Sequence, residues 1–259
     1  MQLTADAGRV DLWCTCISQI ADEALWPRYD ALLSAEERAR QGRFRFAADQ
    51  RRHLVTRALV RTVLSRYAPV RPQDWSFSAG PRGRPAIMAP AMQPPLEFNV
   101  SHSADLVLLG VSSGRALGVD VERIEGRAAD TGGLDRYFTA QESEALLALP
   151  PGQRRQRFFE LWTLKEAYIK SRGLGLAIAL DSFRFEFIGE REVRLLMSPT
   201  LGDSPGGWQL WQFAPRPGYL AAVCATRGGA SPPQITLREH VPLAHESIIG
   251  VVQMLRSTQ

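Results

Sequence analysis

Apolar and polar positions alternate from Arg9 to Ile17, the period-two pattern of a half-buried strand. Ser34 followed by Glu37 is a capping box that opens a short helix. Asp49 then reads as the N-cap of a longer helix over about 50–67, with Leu54, Val55, Ala58, Leu59 and Leu64 on its apolar side and Arg51, Arg52, Arg57 and Arg61 on a solvated one. Short strands are predicted at Trp75–Ser78 and Pro85–Met88 within a Pro- and Gly-rich stretch, then at Leu96–Val100 and Leu106–Ser112 around a turn at Ser101–Asp105. A further strand runs over Leu117–Ile124. Thr139 and Glu142 form a second capping box for a helix over about 139–148, and Pro150-Pro151-Gly152 breaks the chain before a helix of about 154–171 that Gly173 and Gly175 end. Strands at about 183–188, 192–197, 208–214 and 218–225 follow, and then a short helix at 244–256.

Each half thus mixes a few strands with one long helix, which predicts an α+β pseudo-duplication. Ser112–Ala116 is the expected junction. Residues 1–114 form an N-terminal subdomain, 115–228 a C-terminal subdomain with the candidate metal site, and 229–259 an extension without an assigned role. At 259 residues, 45% hydrophobic and 22% charged, the composition is that of a globular protein. No segment approaches the roughly 18–20 apolar residues of a membrane span. The N-terminus lacks the basic-then-apolar pattern of a secretory signal. Cys14, Cys16 and Cys224 fit buried free thiols in a reducing, cytoplasmic setting.

Charge narrows the function. The net charge of +4 favours an anionic ligand or partner. Of 31 basic residues only Lys165 and Lys170 are lysines, and both fall in one six-residue window. Lysine is a compact ammonium that arginine does not replace inside a tight site. On the strand Leu117–Ile124, Asp120 and Glu122 share one face, opposite Leu117, Val119 and Val121. Paired carboxylates are costly to bury unless compensated, and Mg²⁺ with a phosphate ligand compensates them. An ordinary solvent-facing strand would carry the same pair. Glu166 and Lys170 lie four apart on a strongly apolar helix, where a metal with phosphates would partner both signs. Asn99–Ser103 reads as a tight turn whose backbone N–H groups make an anion nest, with His102 as an added donor. Arg84, in the Gly-rich bend Gly80–Pro85, is available to a phosphate.

In order, Gly83-Arg84-Pro85, Phe98-Asn99-Val100-Ser101-His102-Ser103, Gly118-Val119-Asp120-Val121-Glu122 and Trp162-Thr163-Leu164-Lys165-Glu166-Ala167-Tyr168-Ile169-Lys170 resemble the motifs of Sfp-type 4′-phosphopantetheinyl transferases. The resemblance extends from about Ser34 to Ala225 and includes Arg51–Arg61 and the strand Gly218–Ala225. It implies a pseudo-dimer of two similar α/β subdomains with coenzyme A and the active site in the cleft between them. It also implies transfer of 4′-phosphopantetheine from coenzyme A to a serine of an apo acyl or peptidyl carrier protein, releasing 3′,5′-ADP. On this resemblance Asp120, Glu122 and Glu166 gather around Mg²⁺. Arg40, Arg52, Arg84, Ser101, His102, Lys165 and Lys170 contact coenzyme A, and Glu166, Lys170 and His102 are catalytic. Glu37 stands where the family often has a basic residue, with Arg40 retaining charge nearby, and Arg84 replaces a more usual lysine.

The length resembles the monomeric branch of the family. Carrier docking is expected over residues 125–136, with Arg127 and Arg136. Two other function classes use part of the same pattern. An arginine-rich binder of nucleic acid or another polyanion would need no clustered carboxylates, and no nucleic-acid-binding motif is present. A different Mg²⁺-dependent phosphoryl-transfer enzyme or nuclease could use the acidic pair, but the chain has no P-loop signature.

Overall fold

In the computed structural model, which describes all residues except 1, 5, 81–82, 126–133, 174, 176–177, 230–231, 250–253 and 259, the chain divides into two units. The first comprises residues 1–114 with 234–250, the second 115–233 with 251–259. Each packs one long helix on a largely antiparallel sheet, so the architecture is α+β. Among the described residues no helix is long and apolar enough to cross a membrane.

In the first unit β1 (Arg9–Cys16) is central: it pairs antiparallel with β5 (Leu106–Ser113) and parallel with β11 (Gln234–Val241). The edges are β4 (Leu96–Ser103) and β12 (His245–Ile249). A separate hairpin joins β2 (Ser76–Ala79) to β3 (Pro85–Ala89). Helix α3 (Ala47–Leu64) places Leu59, Val60 and Val63 in a cluster with Trp13 and Leu109, and Leu54, Val55 and Ala58 in one with Leu25, Tyr29 and Val241. Leu25 and Tyr29 belong to α1 (Leu25–Leu32). Buried Asp11 ties the distant strand to β1, accepting hydrogen bonds from Arg238 at 2.6 Å and Tyr67 at 2.8 Å.

Four expectations for this unit change. The predicted helix at 244–256 is absent: β12 and β13 (Met254–Ser257) are extended, so the tail adds strands to both units instead of forming a separate extension. Asp49 is not the N-cap. Phe46 takes that place, and Asp49 sits in the first turn beside Arg52. Asn99–Ser103 is strand and not turn, in register with Leu106–Gly110 of β5, and the reversal falls at Ala104, whose φ is +48°. Along a strand the amides alternate in direction, so they do not converge as those of a nest do. Arg57 and Arg61 are buried, not solvated. Both pair with Glu37, which also closes the capping box of α2 (Ala35–Gln41), and both stack on Phe77.

The second unit orders its sheet β6-β10-β9-β13-β8-β7. These strands are β6 (Leu117–Arg123), β7 (Phe183–Ile188), β8 (Glu192–Met197), β9 (Trp208–Phe213), β10 (Tyr219–Thr226) and β13. Helix α5 (Pro151–Arg172) starts on Pro151 at its first position, where a missing N–H costs nothing, and stops at Gly173 in the left-handed conformation. Its apolar side packs with Phe183, Leu195, Leu210 and Leu220. Helix and strand touch at Gly118. A Cβ built there would collide with the Ala167 carbonyl and the Ser171 amide nitrogen, both backbone atoms.

Strand β7 is an edge, and an open edge must have its polar groups met. The Phe185 amide donates to Glu142 Oε1 at 2.9 Å, and Lys165 Nζ donates to the Phe183 carbonyl at 2.9 Å and the Leu180 carbonyl at 2.7 Å. Glu142 comes from the capping box of α4 (Ala140–Leu147) and meets Lys165 at 2.8 Å, both side chains 1% exposed. Lys165 is thus engaged in sealing the sheet edge, contrary to its expected contact with coenzyme A. One residue turns an α-helix by about 100°, which carries Lys165 away from the side that Glu166 faces.

Two predictions follow from these contacts. Gly118→Ala forces β6 and α5 apart, an overpacking cost of about 1–3 kcal/mol. Its thermal midpoint should fall while far-UV circular dichroism still reports a folded chain. Lys165→Met strands the buried Glu142 carboxylate and should cost about 3–5 kcal/mol in urea unfolding. An unchanged unfolding midpoint would remove the edge-sealing role.

Candidate functional site

Strand alternation directs Gly118, Asp120 and Glu122 to the face of β6 that meets α5. Because the strand has no side chain at Gly118, the helix comes near enough for its own charged pair to reach the acidic one. Lys170 Nζ donates to Asp120 Oδ1 at 2.6 Å and stands 3.9 Å from Glu166 Oε2. Asp120 is almost wholly buried, while Glu166 and Lys170 keep a partly exposed side chain and Glu122 is half-buried.

Its electrostatics are coupled. Burial raises the Glu166 carboxyl above the ordinary range, and Asp120 and Glu122 add to this against the opposing charge of Lys170. Burial disfavours the Lys170 ammonium, yet the adjacent Asp120, with Glu166 and Glu122, raises its pKa above the usual value. Lys170 therefore stays charged at neutral pH, and Glu166 holds a proton more strongly than a solvated glutamate.

The three carboxylates do not already form a cage. Among the described residues no three His, Cys, Asp or Glu side chains converge closely enough to grip a metal, and Asp120 faces Lys170 instead. Their chemistry nevertheless suits a hard dication. Mg²⁺ takes one or two carboxylates and completes its shell with water and phosphate oxygens. Two acidic side chains on one strand face with a third on the helix above it supply such donors.

The remaining expected residues lie in the first unit. Ser101 is buried and His102 exposed at adjacent positions of β4, so their side chains emerge on opposite faces of this edge strand. Arg52 Nη1 reaches the Ala104 carbonyl at 3.5 Å, which sets it beside the β4–β5 turn. Half-buried Arg84 pairs with Glu97 at 3.5 Å. Arg40 is exposed on α2, near enough to α3 that its charge lowers the pKa of His53, which burial already depresses. The docking segment expected at 125–136 is described only in part. Residues 126–133, with Arg127, lie outside the described residues, and Leu134–Arg136 form a single 3-10 turn with Arg136 exposed.

Sequence reasoning missed two groups. Gly118 was read only as part of a motif, although a glycine beside an acidic strand pair is itself a signal of close backbone approach. The anchor of α5 formed by Glu160 and Gln212 had no signal, because its members lie 52 positions apart.

Comparison with known proteins identifies the family. Residues 116–224 match the profile of the 4′-phosphopantetheinyl transferase superfamily, and residues 21–114 match the 4′-phosphopantetheinyl transferase N-terminal profile. The chain is 32% identical over 234 residues to the 4′-phosphopantetheinyl transferase HetI of Nostoc sp. strain PCC 7120, covering 89% of this chain and 93% of that protein. It is 32% identical over 198 residues to the 4′-phosphopantetheinyl transferase Sfp of Bacillus subtilis, covering 76% and 84%. With both units matched and such coverage, the chain belongs to the 4′-phosphopantetheinyl transferase superfamily and is an enzyme of that class.

Proposed function

We propose that the second unit's cluster drives Mg²⁺-dependent transfer of 4′-phosphopantetheine from coenzyme A to the serine hydroxyl of an apo acyl or peptidyl carrier protein. The observation that carries this reading is Lys170 standing between Asp120 and Glu166, with Glu122 on the same strand face as Asp120. Asp120, Glu122 and Glu166 would hold the ion. When bound, Mg²⁺ supplies charge neutralisation at the pyrophosphate.

The residues divide the remaining work. The carrier serine is a weak nucleophile at neutral pH and needs a base. Glu166 takes the hydroxyl proton as the serine oxygen bonds to the β-phosphorus. The bond from that phosphorus to the bridging oxygen breaks, and the electron pair leaves on 3′,5′-ADP. Lys170, fixed by Asp120, faces the charge that develops there without reorganising. In the first unit Arg52, beside the β4–β5 turn, with Arg40 and Arg84, serves the anionic groups of coenzyme A. Ser101 and His102 join them from the end of β4, beside the β4–β5 turn, and exposed His102 donates to phosphate. Lys165 is left out of this set because its ammonium is engaged with Glu142. Carrier docking is assigned to 125–136, where exposed Arg136 offers charge to an acidic partner. The three cysteines are free thiols, in keeping with a cytoplasmic enzyme, and the chain's length accords with the monomeric branch of the family.

The direct test mixes the protein with apo-carrier protein, coenzyme A and Mg²⁺ and records the carrier's intact mass. A phosphopantetheine-sized gain is expected, and EDTA should prevent it. No gain on fatty-acid, polyketide or peptide carriers would refute the reading. Glu166→Gln and Asp120→Ala should each lower transfer by at least about 100-fold, in the range lost with a general base or a pre-set charge. Both variants should keep the wild-type circular dichroism. Full activity in either folded variant would sink its assigned role.

A further inference from the structure

The last strand of the chain enters the sheet that supports the catalytic helix. Strand β13 lies between β9 and β8, antiparallel to the first and parallel to the second. Without it the β7–β8 hairpin would have no hydrogen-bonded neighbour linking it to the rest of the sheet. The insertion is well anchored. Thr258 exchanges two hydrogen bonds with Leu210, through its amide at 3.1 Å and its hydroxyl at 2.9 Å, and its carbonyl accepts from Gln209 at 2.5 Å. The Ser257 amide donates to the Arg191 carbonyl at 3.1 Å. These residues lie beyond position 224, where the superfamily match ends.

One side chain of this strand reaches α5. Arg256 Nη1 meets Glu160 Oε1 at 3.0 Å and donates to Gln212 Oε1 at 2.9 Å, while its guanidinium covers the Phe187 ring at 4.9 Å. Gln212 is fully buried and passes the connection on, donating to the Glu160 carbonyl at 2.8 Å and to Thr163 Oγ1 at 3.0 Å. Glu160 also accepts from Arg157 and Gln156. The network therefore grips α5 by a side chain, a backbone carbonyl and a hydroxyl within one turn. Glu160 lies six residues before Glu166, about 9 Å along the helix axis. A helix held at Glu160 and Thr163 on one stretch, and pressed against Gly118 on the next, has its rotation and its slide fixed together.

We infer that Arg256, through Glu160 and Gln212, is a positioning residue that sets the rotation of α5 and so the aim of Glu166 and Lys170. The inference rests on the transferase reading, since it assigns Arg256 a share in that reaction. Arg256 touches no reacting atom, and its effect passes entirely through the helix. A loosened α5 leaves substrates able to bind while the base and the ammonium spend less time in the productive geometry. The loss thus falls on kcat and not on KM.

The test uses the full-length protein with Arg256→Met, Arg256→Lys, Glu160→Gln and the Arg256→Met/Glu160→Gln pair. Steady-state transfer to a carrier protein is measured well below each variant's thermal midpoint. Arg256→Met should lose roughly 10-fold in kcat with KM for coenzyme A and for carrier within about twofold of wild type, and Arg256→Lys should recover part of the loss, since a misplaced catalytic group costs on the order of 10–100-fold. Members of one network are non-additive, so the double variant should be no slower than the slower single one. A folded Arg256→Met with wild-type kcat and only a lowered thermal midpoint would overturn the inference, as would a loss confined to KM. Should Arg256→Met not fold, Glu160→Gln decides in the same way, by its kcat against its KM. An inactive wild-type protein would instead refute the transferase reading, so the two failures are told apart.

Discussion

The closeness of β6 to α5 at Gly118 is the constraint on which the site depends. Backbone meets backbone there, with the Ala167 carbonyl and the Ser171 amide in the space a Cβ would fill. A helix normally stands off a sheet by the depth of a layer of side chains. Where that layer is missing, side chains one turn to either side span to the strand without stretching. Lys170 does so onto Asp120, and Glu166 sits a turn before it on the same face. The approach requires a residue with no side chain at position 118, and the rest of α5 packs around it.

Charge inside the second unit is sorted by helix face. Both lysines of the chain stand on α5, yet they serve opposite ends of the design. Lys165 is sealed from water against Glu142 and closes the open edge of β7. Lys170 is partly exposed, held by Asp120 and kept charged by three surrounding carboxylates. A buried ion pair offsets its desolvation only when its remaining hydrogen-bonding capacity is filled, and for Lys165 two backbone carbonyls fill it. The first unit solves a similar problem with Glu37, which takes Arg57 and Arg61 together beneath Phe77. Glu37 is thus a structural counter-ion to α3.

Local signals in the sequence determined much of this protein. The two capping boxes at Ser34 and Thr139, the strands β1 and β6, and the glycine that ends α5 each rest on signals within a few residues, and each forms where the pattern predicts, although central β1 is buried on both faces and not half-buried. The face shared by Asp120 and Glu122, and the one shared by Glu166 and Lys170, were legible for the same reason: strand and helix periods are fixed by the backbone. Tertiary structure decided what depends on distant partners. The tail at 244–256 mixes apolar and polar residues in a short span that either period can fit, and pairing of β12 with β11 and of β13 with β9 makes strands of it. Ser101–Ser103 has the composition of a turn, but register with β5 extends the strand through it. Lys165 and Lys170 are the same residue type on the same helix. Which one is buried as a seal and which stands in the site was set by the surfaces that α5 packs against, information that no window of the sequence contains.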